Sequence, residues 1–112
     1  SSEFLTYIQE LDLPDAEFVL ADPKKWDVPT RGDKVYAVGA SVLAAVKNDN
    51  TVERWKQVGK VISHIAESNH SDIAVSMGKR WMSIRPTPST MPDAATLRSL
   101  GPVFREAGLM PE

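Results

Sequence analysis

The sequence predicts an all-α fold, a compact bundle of five to six helices, and three observations support this prediction. Apolar residues recur at intervals of three and four along most of the chain, as in helices with one buried face. Neither a sustained apolar/polar alternation nor an Asn-Gly or Asp-Gly pair indicates strands or hairpins. Prolines fall between the periodic segments, where helices are expected to end.

Two short helices are predicted at the N-terminal end of the chain. The first covers residues 2–11 and carries its apolar residues on one face. The second covers residues 15–21, since Pro14 suits the start of a helix. It should end at Asp22, because a residue that precedes a proline avoids the helical region.

A connector and a long helix follow. Residues 23–29 form the connector, which contains Trp26, and the helix is predicted over residues 31–48. Thr30 is the expected N-cap, and Asp33 three residues later resembles a capping box with a shorter carboxylate. The expected buried stripe consists of Val35, Val38, Val42 and Val46, joined by Tyr36, Leu43 and several alanines.

Two further helices are predicted in the second half. One covers residues 51–68 with Asn50 as its N-cap, and Asn69 or Ser71 then caps another that extends to Ile84. Their expected buried residues are Val52, Trp55, Val58, Ile62, Ile65, Ile73, Met77, Trp81 and Ile84.

The C-terminal part begins with a proline-rich linker. Residues 85–91 are expected to be irregular, and Pro92 lies at the start of a last helix. We therefore divide the chain into a helical domain, residues 1–85, and a linker with a C-terminal helix packed on the same domain, residues 86–112.

Composition excludes several classes of protein. The net charge is -2 and the pI about 5.7, unlike the strongly basic surface of a dedicated nucleic-acid binder, so nucleic acid is not an expected partner. Without cysteine there is no thiolate metal site or disulfide, which suits a cytoplasmic protein. No apolar run is long enough for a membrane span, and the N-terminus lacks signal-peptide features, so we expect no membrane association. The chain begins directly in a predicted helix, as a part of a longer protein would.

Motifs for catalysis or metal binding are missing. The glycines form neither a phosphate loop nor a dinucleotide-binding pattern, and no serine has the context of a nucleophile elbow. His64 and His70 are six residues apart and lack partners at metal-ligand spacing, so ordinary surface or capping roles are expected. We expect no catalytic residue and no metal in this chain.

The aromatic and basic residues have two interpretations. Trp55 and Trp81 lie on apolar stripes, which favours core packing over stacking on bases. Trp26 lies outside any stripe, so the pattern does not decide between core packing and stacking for this residue. Lys79, Arg80 and Arg85 form a small basic cluster near Trp81, of the kind usually found on a solvated helix face.

Arg31 is the candidate binding residue. It stands where a helix begins, and the partial positive charge of a helix N-terminus disfavours cations. The same position suits anions, and an arginine added there can hold a phosphate through two parallel hydrogen bonds. The alternative is an exposed first-turn arginine, and the adhesion tripeptide Arg31-Gly32-Asp33 is a third, less favoured hypothesis.

Residues 13–82 resemble the C-terminal region of MoxR-like AAA+ ATPases. In some of these a "P-D-x-E-x-V-L-A-D-P" segment leads into a "P-x-R-x-D" turn and an alanine/leucine-rich helix. This chain has "LPDAEFVLADPKKWDVPTRGDKVYAVGASVLAAV", followed by "TVERWKQVGKVISHIAES" and "SDIAVSMGKRW". The pattern is dispersed and fades beyond the proline-rich linker.

The resemblance implies a helical lid that follows a nucleotide-binding core. Arg31 then matches the "sensor 2" arginine, which reaches the nucleotide phosphates from the lid, although Asp27-Val28-Pro29-Thr30 replaces the usual Gly-Ala-Ser. ATP and Mg would be bound by the parent protein and not by this fragment. The implied partners are the upstream AAA+ core, neighbouring subunits of a ring and a protein substrate to be remodelled. The alternative is a non-enzymatic helical protein-interaction module.

Overall fold

The described part of the chain is entirely helical. The computed structural model describes residue 3, residues 12–48 and residues 51–83, and within them we find four α-helices and no β-strand. The helices are α1 (Ala16–Ala21), α2 (Gly32–Asn48), α3 (Val52–Glu67) and α4 (Ser71–Ser83), with a 3-10 turn, η1 (Pro23–Lys25), after α1. The all-α class is confirmed, with fewer helices than the five to six predicted. The predicted helices at 2–11 and beyond Pro92, the linker at 85–91 and the C-terminal helix of 86–112 lie outside the described residues.

The first helix is short and is limited at both ends by aspartates. Asp15 is the N-cap, and its Oδ1 accepts a hydrogen bond from the Glu17 amide at 2.7 Å. The helix ends at Asp22, directly before Pro23, as predicted. Val19 is fully buried. Because a helix of six residues is unstable alone, this burial against α2 and α3 is what holds α1 in place.

The core lies between α1, α2, α3 and α4. The valines and Leu43 predicted for the stripe of α2 are buried, whereas Tyr36, expected with them, is exposed. The residues predicted for the stripe of α3 are buried from Trp55 to Ile65, and the side chain of Val52 lies outside the described part. Trp55 and Trp81 pack against each other with ring centroids 4.7 Å apart, which confirms the core prediction for both. The largest fully buried side chains are those of Trp81, Leu20, Leu43, Ile62, Ile65, Val19, Val35, Val38 and Val42.

Two predicted N-caps are wrong by one residue. The Val35 amide donates to the Arg31 carbonyl at 3.2 Å, so Arg31 and not Thr30 precedes the first turn of α2. For α3 the N-cap is Thr51, whose Oγ1 accepts from the Arg54 amide at 3.2 Å, and not Asn50. Asn50 and Thr51 are neighbours of good capping types and cannot be ranked by type alone, whereas Arg31 precedes α2 through its carbonyl and not through a capping side chain.

The turn between α3 and α4 differs from its prediction as well. Asn69 has a φ of 68°, and the His70 amide donates to the Ile65 carbonyl at 3.3 Å, the long bond of a Schellman motif. The Ala74 amide donates to the His70 carbonyl at 3.0 Å, so His70 takes the cap position that was predicted for Asn69 or Ser71. Asn69 ends α3 because asparagine tolerates the left-handed conformation.

Helices α2 and α4 approach each other closely at a glycine. Gly39 is buried in the middle of α2 and faces Met77 of α4. A β-carbon built on Gly39 would lie 2.6 Å from the Met77 Sδ. Any side chain at this position would therefore require Met77 to move.

Candidate functional site

Arg31 lies on the surface at the start of α2, as its sequence position predicts. Its side chain is 58% exposed, and its guanidinium binds Asp33 through two bonds. Nε lies 2.8 Å from Oδ1, and Nη2 donates to Oδ2 at 3.0 Å. This is the two-pronged geometry by which arginine also binds phosphate. The acceptor in this structure is the carboxylate two residues along the chain.

Asp33 lies in the first turn of α2 and pairs with Arg31. Its Oδ1 accepts from the Lys34 amide at 2.8 Å, and its carboxylate neutralises Arg31. It therefore places negative charge in the first turn of α2, where the helix dipole favours it. The two charges of the Arg31-Gly32-Asp33 tripeptide are thus paired with each other in this structure.

The connector before Arg31 is held by the two histidines. The Nε2 of His64 donates to the Trp26 carbonyl at 2.8 Å, and the Nε2 of His70 donates to the Pro29 carbonyl at 2.9 Å. Both rings are half-buried, and the His64 ring also meets the Trp26 ring edge-on, with centroids 6.3 Å apart. The two hydrogen bonds fix the path that leads the backbone to Arg31.

The histidines thus do more than the expected surface or capping roles. His70 does occupy the cap position of α4, but through its carbonyl, while its ring holds the connector. His64 fixes the connector at Trp26, which is buried although it lies on no helical stripe. Sequence reasoning missed these contacts because they join residues far apart along the chain.

A charged pair joins α1 to α3. Arg54 donates to Glu17 through Nη1 and Nη2, at 3.1 Å and 3.0 Å. Its side chain is only 14% exposed, and Nη1 lies 3.3 Å from the Oε1 of Gln57. Arg54 and Glu17 lie 37 positions apart in the chain, so no local pattern predicts their pairing. The bidentate bond makes it a cross-link between two helices.

Two grooves open on the described surface. The larger, about 790 Å³, runs between α3 and the end of α1 with η1, and we call it the α1–α3 groove. Its lining includes three lysines, Lys24, Lys56 and Lys60, and three carboxylates, Asp22, Glu53 and Glu67. The smaller, about 360 Å³, lies beside the connector and is lined by Leu13, Pro14, Phe18, Trp26, Pro29 and Lys34.

Two large apolar side chains are exposed on the described surface. Phe18 of α1 is 49% exposed and borders the smaller groove, and Tyr36 of α2 is 51% exposed. Lys79 and Arg80 are exposed on α4, as expected for a solvated helix face. The third predicted member of that cluster, Arg85, lies outside the described residues.

Residues 12–48 and 51–83 contain neither a cluster of metal-ligating side chains nor a helix that could span a membrane. No three His, Asp or Glu side chains come together there as metal ligands. In the same part of the chain, every helix is too short or too polar to cross a membrane.

Comparison of the chain with protein-family models, with characterised proteins and with solved structures found no match.

Proposed function

We propose that this chain is the C-terminal helical domain of a MoxR-like AAA+ ATPase. In this role it couples ATP binding and hydrolysis in an upstream core to the remodelling of a protein partner. The observation that carries the proposal is that the segment with the strongest resemblance forms one packed unit. Its Val19, Leu20 and Trp26 are buried, and its Pro29 and Arg31 form the turn into α2.

The finer part of the proposal concerns Arg31. Its guanidinium is exposed and bound to Asp33, so a phosphate from the core has to share or replace that carboxylate. An exposed ion pair contributes only about 0–1 kcal/mol, so the exchange costs little compared with a contact to a triphosphate. ATP and Mg belong to the core, and Arg31 is the only residue of this chain assigned to them.

The connector suggests how a contact at Arg31 reaches the rest of the domain. His64 of α3 and His70 before α4 hold the backbone at Trp26 and Pro29. A pull on Arg31 is therefore transmitted to α3 and α4 through hydrogen bonds and not through a free loop. Rigid rotation of a domain in response to nucleotide needs such a connection.

The first test is the coding sequence upstream of Ser1, where the proposal requires a Walker A motif. The second test is ATP turnover of the full-length protein, in which Arg31→Ala should be slower by about 10-fold or more, the effect of losing a charge-assisted contact. Arg31→Lys should not restore the rate, because an ammonium lacks the two-pronged geometry. Lys34→Ala, in the first turn of α2, is the matched control and should stay within about 2-fold.

If Arg31→Ala hydrolyses ATP at the rate of the unsubstituted protein, Arg31 does not contact the phosphates, but the domain assignment is unaffected. The absence of a Walker A motif upstream would remove both. In that case the second candidate function, a non-enzymatic helical interaction module, is favoured. The exposed Phe18 and Tyr36 support this alternative, since exposed aromatic side chains often anchor protein partners.

A further inference from the structure

His70 joins three parts of the fold. Its amide donates to the Ile65 carbonyl at 3.3 Å at the end of α3, and its carbonyl accepts from the Ala74 amide at 3.0 Å at the start of α4. Its ring reaches the connector, where Nε2 lies 2.9 Å from the Pro29 carbonyl oxygen. Because a carbonyl oxygen only accepts, Nε2 carries the proton in this bond. The two backbone bonds hold the base of the side chain, so the ring bond fixes Pro29 relative to α3 and α4.

The backbone that this bond holds leads directly to Arg31. Arg31 lies two residues after the carbonyl that His70 binds, and its own carbonyl accepts from the Val35 amide at 3.2 Å at the start of α2. The next residue, Gly32, lies beside α4, since a β-carbon built there would be 3.9 Å from the Ile73 Cδ1. The backbone at Arg31 is therefore held on both sides, by the His70 ring before it and by the first turn of α4 after it.

The direction of the Arg31 side chain depends on this backbone. The side chain is 58% exposed, and Asp33, which binds the guanidinium, lies in the same first turn of α2. That bond fixes the guanidinium relative to the turn. The bond from His70 fixes the backbone before the turn relative to α3 and α4.

We propose that His70 is the positioning residue for Arg31 in its contact with nucleotide phosphate. This inference rests on the proposed function and deepens it, because it assigns the orientation of Arg31 to a residue that does not touch nucleotide. A two-pronged contact to phosphate requires one orientation of the guanidinium, and a small misplacement of such a group lowers a reaction rate strongly. His70 acts on turnover only through Arg31.

The first test is steady-state ATP turnover of the full-length protein. His70→Ala removes the ring donor and leaves both backbone bonds, so kcat should fall by about 3- to 10-fold while the KM for ATP stays within about 2-fold. His70→Gln should restore most of the rate, because its amide nitrogen can donate a hydrogen bond. Gly39→Ala is the control for lost stability, since it crowds Met77 in the core and does not touch the connector. It should leave kcat within about 2-fold.

A double-mutant cycle distinguishes positioning from a purely structural role. In the Arg31→Ala protein there is no guanidinium to position, so the addition of His70→Ala should change kcat by less than about 2-fold. A purely structural role predicts that His70→Ala lowers kcat by the same factor whether or not Arg31 is present.

Amide hydrogen exchange of the 112-residue chain tests the geometric step without ATP. When His70→Ala releases the connector, protection of the Val35 amide should fall by about 3-fold or more. The Ala74 amide should keep its protection, because its bond to the His70 carbonyl remains. His70→Gln should protect the Val35 amide as the native chain does.

The outcomes separate this inference from the proposed function. The inference alone is overturned if Arg31→Ala slows turnover and His70→Ala does not, if the two losses multiply in the double variant, or if the Val35 and Ala74 amides lose protection equally. Equal loss of kcat in Gly39→Ala and His70→Ala would also overturn it, because stability and not position would then set the rate. If Arg31→Ala turns over ATP at the rate of the unsubstituted protein, the phosphate contact of the proposed function is wrong, and the inference falls with it.

Discussion

Replacing Gly39 by alanine should destabilise the domain, although alanine is the better helix former. The new β-carbon would lie 2.6 Å from the Met77 Sδ, 3.2 Å from its Cγ and 3.3 Å from its Cε. Three consecutive atoms of one side chain therefore have to move. Met77 is only 4% exposed, so its side chain has no open solvent to move into and must displace its neighbours in the core.

Two opposing terms set the magnitude. Overpacking of a well-packed core costs about 1–3 kcal/mol. Replacing glycine by alanine inside a helix contributes about 1 kcal/mol in favour of folding. The net loss in the free energy of unfolding is then about 1 kcal/mol, which lowers Tm by roughly 4–8 °C in a domain of this size.

Thermal unfolding followed by circular dichroism measures the effect, and Gly32→Ala is the matched control. A β-carbon on Gly32 meets only the Ile73 Cδ1, at 3.9 Å, an ordinary contact. Gly32→Ala should therefore leave Tm unchanged or raise it. In a Met77→Ala background the side chain that the new β-carbon would meet is absent, so Gly39→Ala should stabilise the domain. The coupling free energy between positions 39 and 77 should be about 1 kcal/mol or more. If Gly39→Ala in the native chain raises Tm as much as Gly32→Ala does, the packing argument is refuted.

Two further predictions concern the turn between α3 and α4 and are measured by urea denaturation. Asn69 has a φ of 68°, a left-handed conformation that alanine disfavours and glycine adopts readily. Asn69→Ala should therefore lower the free energy of unfolding by about 1 kcal/mol, while Asn69→Gly should preserve it. Equal losses in the two variants would contradict the left-handed conformation. His70→Ala removes the donor to the Pro29 carbonyl and should cost about 1–3 kcal/mol. Ser71→Ala is the control, at a residue that was expected to cap α4. It should change the free energy of unfolding by less than about 0.5 kcal/mol. A larger loss would indicate that the Ser71 side chain caps the helix.

The helices could be predicted because their signals are local. Val35, Val38, Val42 and Val46 repeat at the helical period, and this repeat alone locates α2. The exact cap residues could not be predicted, since Asn50 and Thr51 are both suitable and lie side by side. Only the backbone geometry, with Thr51 extended and bonded to the Arg54 amide, decides between them.

The candidate site was less accessible to sequence reasoning. The position of Arg31 before α2 follows from the pattern, and its pairing with Asp33 is local as well. The bond of His64 to the Trp26 carbonyl joins residues 38 apart, and no periodicity in the chain reports it. The burial of Trp26 was missed for the same reason, because the connector folds back against α3 and forms no stripe of its own.

The cross-links of residues 12–31 have a consequence for the order of folding. Helix α1 has six residues, and the contacts that hold it and the connector span 37 to 41 residues of chain. The α3–α4 hairpin, by contrast, forms from neighbours in sequence. Closing long loops costs more entropy than closing short ones, so we expect residues 12–31 to join a preformed α2–α4 unit last. We also expect this segment to open first in the native protein, together with the turn that carries Arg31.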